Sequence, residues 1–414
     1  MSHPAFRGSD RPTLGVELEL QLVDARTLAT RDACDRVLAA IPAAFAGAIK
    51  PEMHACCVEV ATGVCIDTAD VADDLGAKLR ALAAAAHGLG MRAAWGGTHP
   101  FTHWQHQGIT PTPRYRALVE RYREPLLRQA TFGLHVHVGV PDGDAAIRAC
   151  DGIRAHLPTL AALAANSPFW CGRATGMRAH RVEIIAATPT GGLPPRLGDW
   201  DHFAALVDRL SASGCIESLK DLWWDVRPSP ANGTVEVRVC DMPPDLPSVL
   251  ALAALIQCLV HALARDAGRD AAGGPEEVRS LLTRQNRWAA SRHGLDADLI
   301  DPRTGRSRSA RDVVRRLAHD LRGEAEALGC VADLERAWAM ADGPTGADRQ
   351  LVIYERTGDL TAVARGMVPD LDDGSIDMRP SGHDRPIPAP GVGRPAYAVV
   401  PPFAPAPGHS VAAG

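Results

Sequence analysis

Leu14-Gly15-Val16-Glu17-Leu18-Glu19-Leu20-Gln21-Leu22 alternates between two kinds of residue without a break. Leu14, Val16, Leu18, Leu20 and Leu22 fall on one side, and Glu17, Glu19 and Gln21 on the other. That is the period of a β-strand with one buried face. Two rises of about 3.3 Å put the Cα atoms of Glu17 and Glu19 roughly 6–7 Å apart on the polar face. Alone, such a strand is ordinary, since antiparallel sheets commonly turn one face to water. Two later stretches repeat the device. In Phe132–Val140, Leu134, Val136, Val138 and Val140 oppose His135, His137 and Gly139. In Thr234–Asp241, Val235, Val237 and Val239 oppose Thr234, Glu236 and Arg238.

A solvated sheet face would mix Thr, Ser, Lys and Gln, whereas these three faces carry carboxylates, imidazoles and a guanidinium. Glu52 and Glu59 can join them from a strand ending at Thr62-Gly63. Two carboxylates about 5 Å apart repel by roughly 3 kcal/mol at an effective dielectric near 20. Several such pairs rival the stability of a domain. The cluster therefore calls for cations within it, or for protonation. Hard oxygen donors without paired cysteines favour Mg²⁺ or Mn²⁺ over zinc. Arg238, on the same face as Glu236, offers a fork for phosphate or carboxylate. The pattern points to metal-dependent phosphoryl transfer on an open sheet. On this reading, removing Glu19 or Glu236 relieves repulsion and leaves the fold intact or firmer. No Walker loop, Rossmann glycine fingerprint or nucleophile elbow is present, so a nucleotide is held through metal and arginines.

The 414 residues are 46% hydrophobic and 22% charged, which suits one or two globular domains. A net charge of −5 gives no footprint for nucleic acid. Ten scattered cysteines, none in Cys-x-x-Cys spacing, suit free thiols in a reducing compartment. Met1–Arg11 lacks the apolar core of a signal peptide. Ser248–Ala264 is long and apolar but carries Gln257 and His261, as a buried helix does rather than a membrane span. A cytoplasmic protein is expected, with no membrane partner; a homo-oligomer stays open. Helical spacing marks the stretch with Val71, Leu75, Leu79 and Leu82, with Asp70 as its cap, and Ala145–Ala165, broken or kinked at Pro158. Past Val368 come ten of the 32 prolines and few long apolar side chains. Three segments result: a tail over 1–11, a catalytic domain over 12–367 and a Pro-rich, disordered tail over 368–414.

Several blocks, in order, resemble the carboxylate–amine ligase family, the type 2 glutamate–cysteine ligases. They are Thr13–Asp24, Glu59-Val60-Ala61-Thr62-Gly63-Val64-Cys65, Gly97-Thr98-His99-Pro100, Phe132–Val140 and Asn166-Ser167-Pro168-Phe169-Trp170. Trp224–Pro230, Gly233–Asp241, Asn286-Arg287-Trp288 and Arg292–Asp296 follow. The resemblance implies an α+β fold related to glutamine synthetase and the guanidino kinases. In it a mostly antiparallel curved sheet forms the active-site floor and helices pack behind. It implies an ATP-dependent enzyme that phosphorylates a small-molecule carboxylate, typically of glutamate, and couples the acyl phosphate to an amine, cysteine by default. By motif match, Glu17, Glu19, Glu52, Glu59, His135 and Glu236 hold Mg²⁺ beneath the ATP phosphates, with His135 and Arg238 against the nucleotide. Arg238, and less strongly Arg227, act on the transferred group.

One block departs from the family. Arg173-Ala174-Thr175-Gly176-Met177-Arg178-Ala179-His180-Arg181 lacks the family's acidic and aromatic residues and adds positive charge. If it borders the acceptor pocket, the acid and amine pair differs from glutamate and cysteine, with an acceptor or donor that carries more negative charge. A phosphotransferase like the guanidino kinases, and a non-catalytic binding protein, are the alternatives from other classes.

Overall fold

A computed structural model describes residues 5–266 and 275–369. The 1–11 tail lies partly, and the 368–414 tail almost wholly, outside them. The opening stretch forms β1 (Leu14–Asp24), the central strand of a seven-stranded sheet. The other six are β2 (Ile49–Pro51), β3 (Cys57–Ala61), β4 (Met91–Ala94), β5 (Gly133–Gly139), β6 (Val226–Ser229) and β7 (Thr234–Asp241). Their order is β6-β7-β5-β1-β3-β2, with β4 beside the end of β1, and every pairing is antiparallel. The fold is the expected α+β arrangement.

The apolar faces decide which side of the sheet is covered. Leu18, Leu20, Leu22, Val60, Leu134, Val136, Val138, Val235 and Val237 are all fully buried. Each such side chain contributes about 1.5–3 kcal/mol when taken out of water. Behind them pack α1 (Thr68–Gly88), α2 (Gly143–Ile153), α3 (Leu157–Leu163) and α4 (Leu246–Arg265).

Local signals explain most boundaries. Asp67, not Asp70, caps α1 by accepting from the amides of Ala69 and Asp70, while Asp70 accepts from the amide of Ile66. The expected Ala145–Ala165 helix is two helices joined by a 3₁₀ turn at Arg154–His156, with Pro158 in the first turn of α3, where its missing N–H costs nothing. Helix α4 is long and apolar enough to cross a membrane by composition, but 72% of its apolar window is buried in the protein. Its Gln257 is buried because its amide donates to the carbonyls of Pro12 and Ile66.

Candidate functional site

Strand register carries the polar residues onto one face. Glu17 lies opposite His135, and Glu19 opposite Glu59. Lys50 lies opposite Glu59, Glu236 opposite His137, and Arg227 opposite Glu236. Directly opposed residues share a face, so six strands build one floor. It underlies a cavity of about 830 Å³ lined by Glu17, Glu19, Glu52, Glu59, His135, Glu236, Arg238 and Arg227. Every residue expected from the sequence is therefore at one cavity.

The contacts within the floor are specific. A carboxylate oxygen of Glu17 lies 3.3 Å from His135 Nδ1 and the other 3.5 Å from His137 Nε2. Burial pushes the Glu17 carboxyl up, but these imidazoles outweigh it and hold the group well below the usual range. Glu19 accepts from the Gly133 amide at 2.6 Å and lies 3.9 Å from Arg181 Nη2. Burial wins there and raises its carboxyl. Glu236 accepts the fork of Arg227 at 2.7 and 3.0 Å and a further bond from Arg238 Nη1. Burial again opposes ionisation, but the two guanidiniums hold Glu236 far below the ordinary value.

On the other flank Lys50 Nζ sits 2.8 Å from Glu59. Burial, then the charges of Glu17 and Glu52, push Glu59 up to about 8, and Glu52 is raised by burial and by Glu19. The two share a side-chain hydrogen bond, so one of them keeps a proton near neutrality. His135 is pushed down to about 4 by burial and then by Arg238, and so stays neutral. His137 goes the other way: burial lowers it, but Glu236 and Glu17 raise it further.

This geometry changes the charge argument. Five carboxylates are met by Lys50, Arg181, Arg227 and Arg238, so the protein supplies most of the needed cations itself. Repulsion alone therefore does not require a metal. What favours one is geometry: Glu17, His135 and Glu236 each present a donor atom within 4.8 Å of the other two. This is an oxygen-rich set with one imidazole, which suits Mg²⁺ or Mn²⁺. Because the partners of Glu236 are two guanidiniums, its removal is expected to weaken the fold rather than leave it intact or firmer.

Arg227 is also more constrained than the sequence suggests. Beyond its fork on Glu236, its Nη1 donates to the carbonyls of Leu219, Lys220 and Leu222. It anchors Glu236 and does not reach freely into the cavity. The loop 173–181 differs too. Arg178 pairs with Asp348 at 2.9 Å, and neither it nor exposed Arg173 lines the cavity. Of the loop's arginines only Arg181 does so. The argument for a more anionic substrate from these extra charges therefore falls away.

Sequence reasoning assigned no role to Arg181 or Lys50. Arg181 is 2% exposed and donates to the carbonyls of Arg238 and Cys240. It lies against Gly133, where a Cβ would come within 2.1 Å of its Nη2. That glycine is the signal that could have found it: a strand residue stripped of its side chain marks a close approach. Asp241, at the end of β7, clamps the Asn166-Ser167 turn by accepting from the Asn166 amide and the Ser167 hydroxyl.

Comparison with known proteins identifies the family and the fold. Residues 13–366 match the model of glutamate-cysteine ligase family 2 (GCS2). The chain is 38% identical over 374 residues to a Gloeobacter violaceus protein named "Putative glutamate–cysteine ligase 2", covering 89% of this chain and 98% of that one. It is 40% identical over 358 residues to a Sorangium cellulosum protein of the same name, covering 86% and 95%. Among solved structures, the glutamate–cysteine ligase of Francisella tularensis in complex with AMP superposes with a TM-score of 0.65 at 12% identity, covering 87% of this chain and 89% of that one. A bifunctional glutathione synthetase of Pasteurella multocida gives 0.63 at 15% identity, covering 86% and 51%. At such identities the two structures speak for the fold alone.

Proposed function

The chain belongs to glutamate-cysteine ligase family 2, and on that premise we propose that it is an ATP-dependent ligase joining a small carboxylate to an amine, by default glutamate to cysteine. The observation that carries the reading is the register that gathers Glu17, Glu19, Glu59, His135 and Glu236 over one cavity, with Arg238 beside them.

In the first step a carboxylate oxygen of the acid attacks the γ-phosphorus of ATP, and ADP leaves. In the second the amine attacks the acyl carbon, the bond to phosphate breaks, and the amine gives up a proton as the amide forms. Glu17, Glu19, Glu52, Glu59, His135 and Glu236 would hold Mg²⁺, which offsets phosphate charge when bound. Neutral His135 offers a lone pair, and Glu17 is ionised across the working pH range. Arg238 steadies the transferred phosphoryl group, and Arg227 fixes the Glu236 that orients Arg238. The low-dielectric floor strengthens each of these charges relative to water.

The test is ADP release from ATP with Mg²⁺ and glutamate, with and without cysteine, while γ-glutamylcysteine is followed by mass spectrometry. Amide and phosphate formed only with amine present support the ligase. Equal ADP release without amine points instead to the phosphotransferase, and loss of all turnover with any acid and amine to a binding protein.

A further inference from the structure

The segment before β1 is tied down where the structure describes it. Phe6 packs its ring edge-on against Trp200, centroids 5.4 Å apart, at the start of the helix Trp200–Ala212. The Arg7 amide then donates to the Pro230 carbonyl at 3.0 Å, and the Ser9 amide to the Val140 carbonyl at 2.8 Å. A terminal segment that is not held leaves such amides to water. Glycines make room for this one. A Cβ on Gly8 would overlap the Pro141 carbonyl, and one on Gly233 would overlap the Arg7 carbonyl. Gly233 also has a φ of +66°, which the tight turn between β6 and β7 requires.

That turn has two faces. On its outer face the Pro230 carbonyl accepts from both Arg7 and Gly233. On its inner face Pro230, Ala231 and Asn232 line the cavity. Lys220, half-buried Trp223 and Arg227 line the same end. An indole on which a base can stack, with two cations for phosphates, suits a nucleotide. None of Phe6, Arg7, Gly8 and Ser9 reaches the cavity, so whatever they do for a ligand they do through the turn. A loop that must be ordered when its ligand arrives costs affinity, and one already held does not.

We infer that residues 6–9 are a strap that clamps the β6–β7 turn from outside and thereby sets the affinity of the cavity for nucleotide. Phe6 is its anchor, the Arg7 and Ser9 amides are its ties, and all are positioning residues. The assignment rests on the ligase reading, under which the nucleotide is ATP.

Three full-length variants test it. Gly8→Ala drives a methyl into Pro141 and lifts the strap while leaving the turn's own residues intact. Phe6→Ala removes the anchor, and Phe6→Leu keeps an apolar one. Rates are measured with ATP, glutamate and cysteine each varied in turn. Gly8→Ala and Phe6→Ala should raise KM for ATP about fivefold, with kcat and the other two KM values within about twofold of the parent's, and Phe6→Leu should recover most of the loss. An unchanged KM for ATP in both, or an equal rise for glutamate or cysteine, overturns the strap's role. Two readouts need no turnover. Hydrogen exchange should find the Arg7 and Ser9 amides protected in the parent and released in Gly8→Ala, and equal exchange overturns the docking. Calorimetric titration with Mg²⁺ and a non-hydrolysable ATP analogue should show the same loss of affinity. Weaker binding in the variants of an inactive parent keeps the strap and sinks the proposed activity, whereas no binding by the parent, or equal binding in parent and variants, overturns the strap.

Discussion

Replacing Glu236 by alanine separates two pictures of the floor. If the carboxylates merely repel, the change relieves strain. If they are held by the protein's own cations, it strands them. Glu236 is 3% exposed and sits between Arg227, bidentate at 2.7 and 3.0 Å, and Arg238. At an effective dielectric near 20, an ion pair at about 4 Å is worth roughly 4 kcal/mol of attraction, against roughly 3 kcal/mol of repulsion between carboxylates at about 5 Å. Two guanidiniums therefore outweigh a neighbouring carboxylate. Breaking a buried pair from one side costs about 3–5 kcal/mol, since an uncompensated charge remains. That is a large part of the ~5–15 kcal/mol that holds a domain together.

The assay is urea unfolding in the presence of a chelator, followed by far-UV circular dichroism. Glu236→Ala should lower the midpoint without changing the slope. Glu19→Gln is the contrast. Burial already raises the Glu19 carboxyl, its nearest cation is 3.9 Å away, and an amide oxygen can still accept from Gly133. Its unfolding free energy should change by no more than about 1 kcal/mol, while turnover is lost. A Glu236→Ala protein as stable as the parent without metal would refute the self-compensated floor.

Three further outcomes follow from the same geometry. Gly133→Ala drives a methyl into Arg181; it should cost about 1–3 kcal/mol in unfolding and lower kcat, whereas a Tm equal to the parent's counts against the close approach. Asp241 is pushed up to about 6 by burial, against an ordinary value of 3.8. Between those values the unfolded chain has lost its proton and the folded one keeps it, so stability falls as pH rises through that window, by up to ~3 kcal/mol; Asp241→Asn should flatten that slope in melts from pH 4 to 7, and an unchanged slope sinks the assignment. Glu17→Gln should weaken Mn²⁺ binding, read by electron paramagnetic resonance, at least tenfold, and equal affinity removes Glu17 from the metal set.

The faces of β1, β5 and β7 were legible because a strand writes its burial into the sequence with a period of two. Glu17, Glu19, His135 and Glu236 followed from that alone. Arg238 and Arg227 were named as well, but Lys50, Arg181 and the partner of each cation were not legible, for a physical reason. Lys50 reaches Glu59 and Arg227 reaches Glu236 through pairing between strands, and Arg181 arrives from the first turn of a short helix, His180–Ile185. The cap of α1 slipped because Asp67 and Asp70 both suit the position, and only backbone geometry chooses between them. The register shift between Val237 and Cys240 is also silent in sequence. There the Arg238 amide leaves β5 and donates to the Asp225 carbonyl. Such an irregularity re-aims a side chain, and the Arg238 guanidinium meets Glu236 and His135.

That re-aiming distinguishes the two arginines on Glu236. Arg227 is fixed at every nitrogen, by one carboxylate and three carbonyls. Among the described residues Arg238 hydrogen-bonds only through Nη1, to Glu236 and His135. If Arg238 swings toward an arriving phosphoryl group, Glu236 stays neutralised by Arg227, and no buried carboxylate is left unpaired at the moment of transfer. Were Arg227 to move instead, three backbone carbonyls and a carboxylate would lose their donors together. On the proposed ligase reading, the cost of motion divides the roles: Arg227 holds the floor, and Arg238 is the cation free to follow the charge. A lysine at 227 would lose the fork and the carbonyl bonds at once, and should damage stability before it damages phosphate binding. A lysine at 238 should do the reverse.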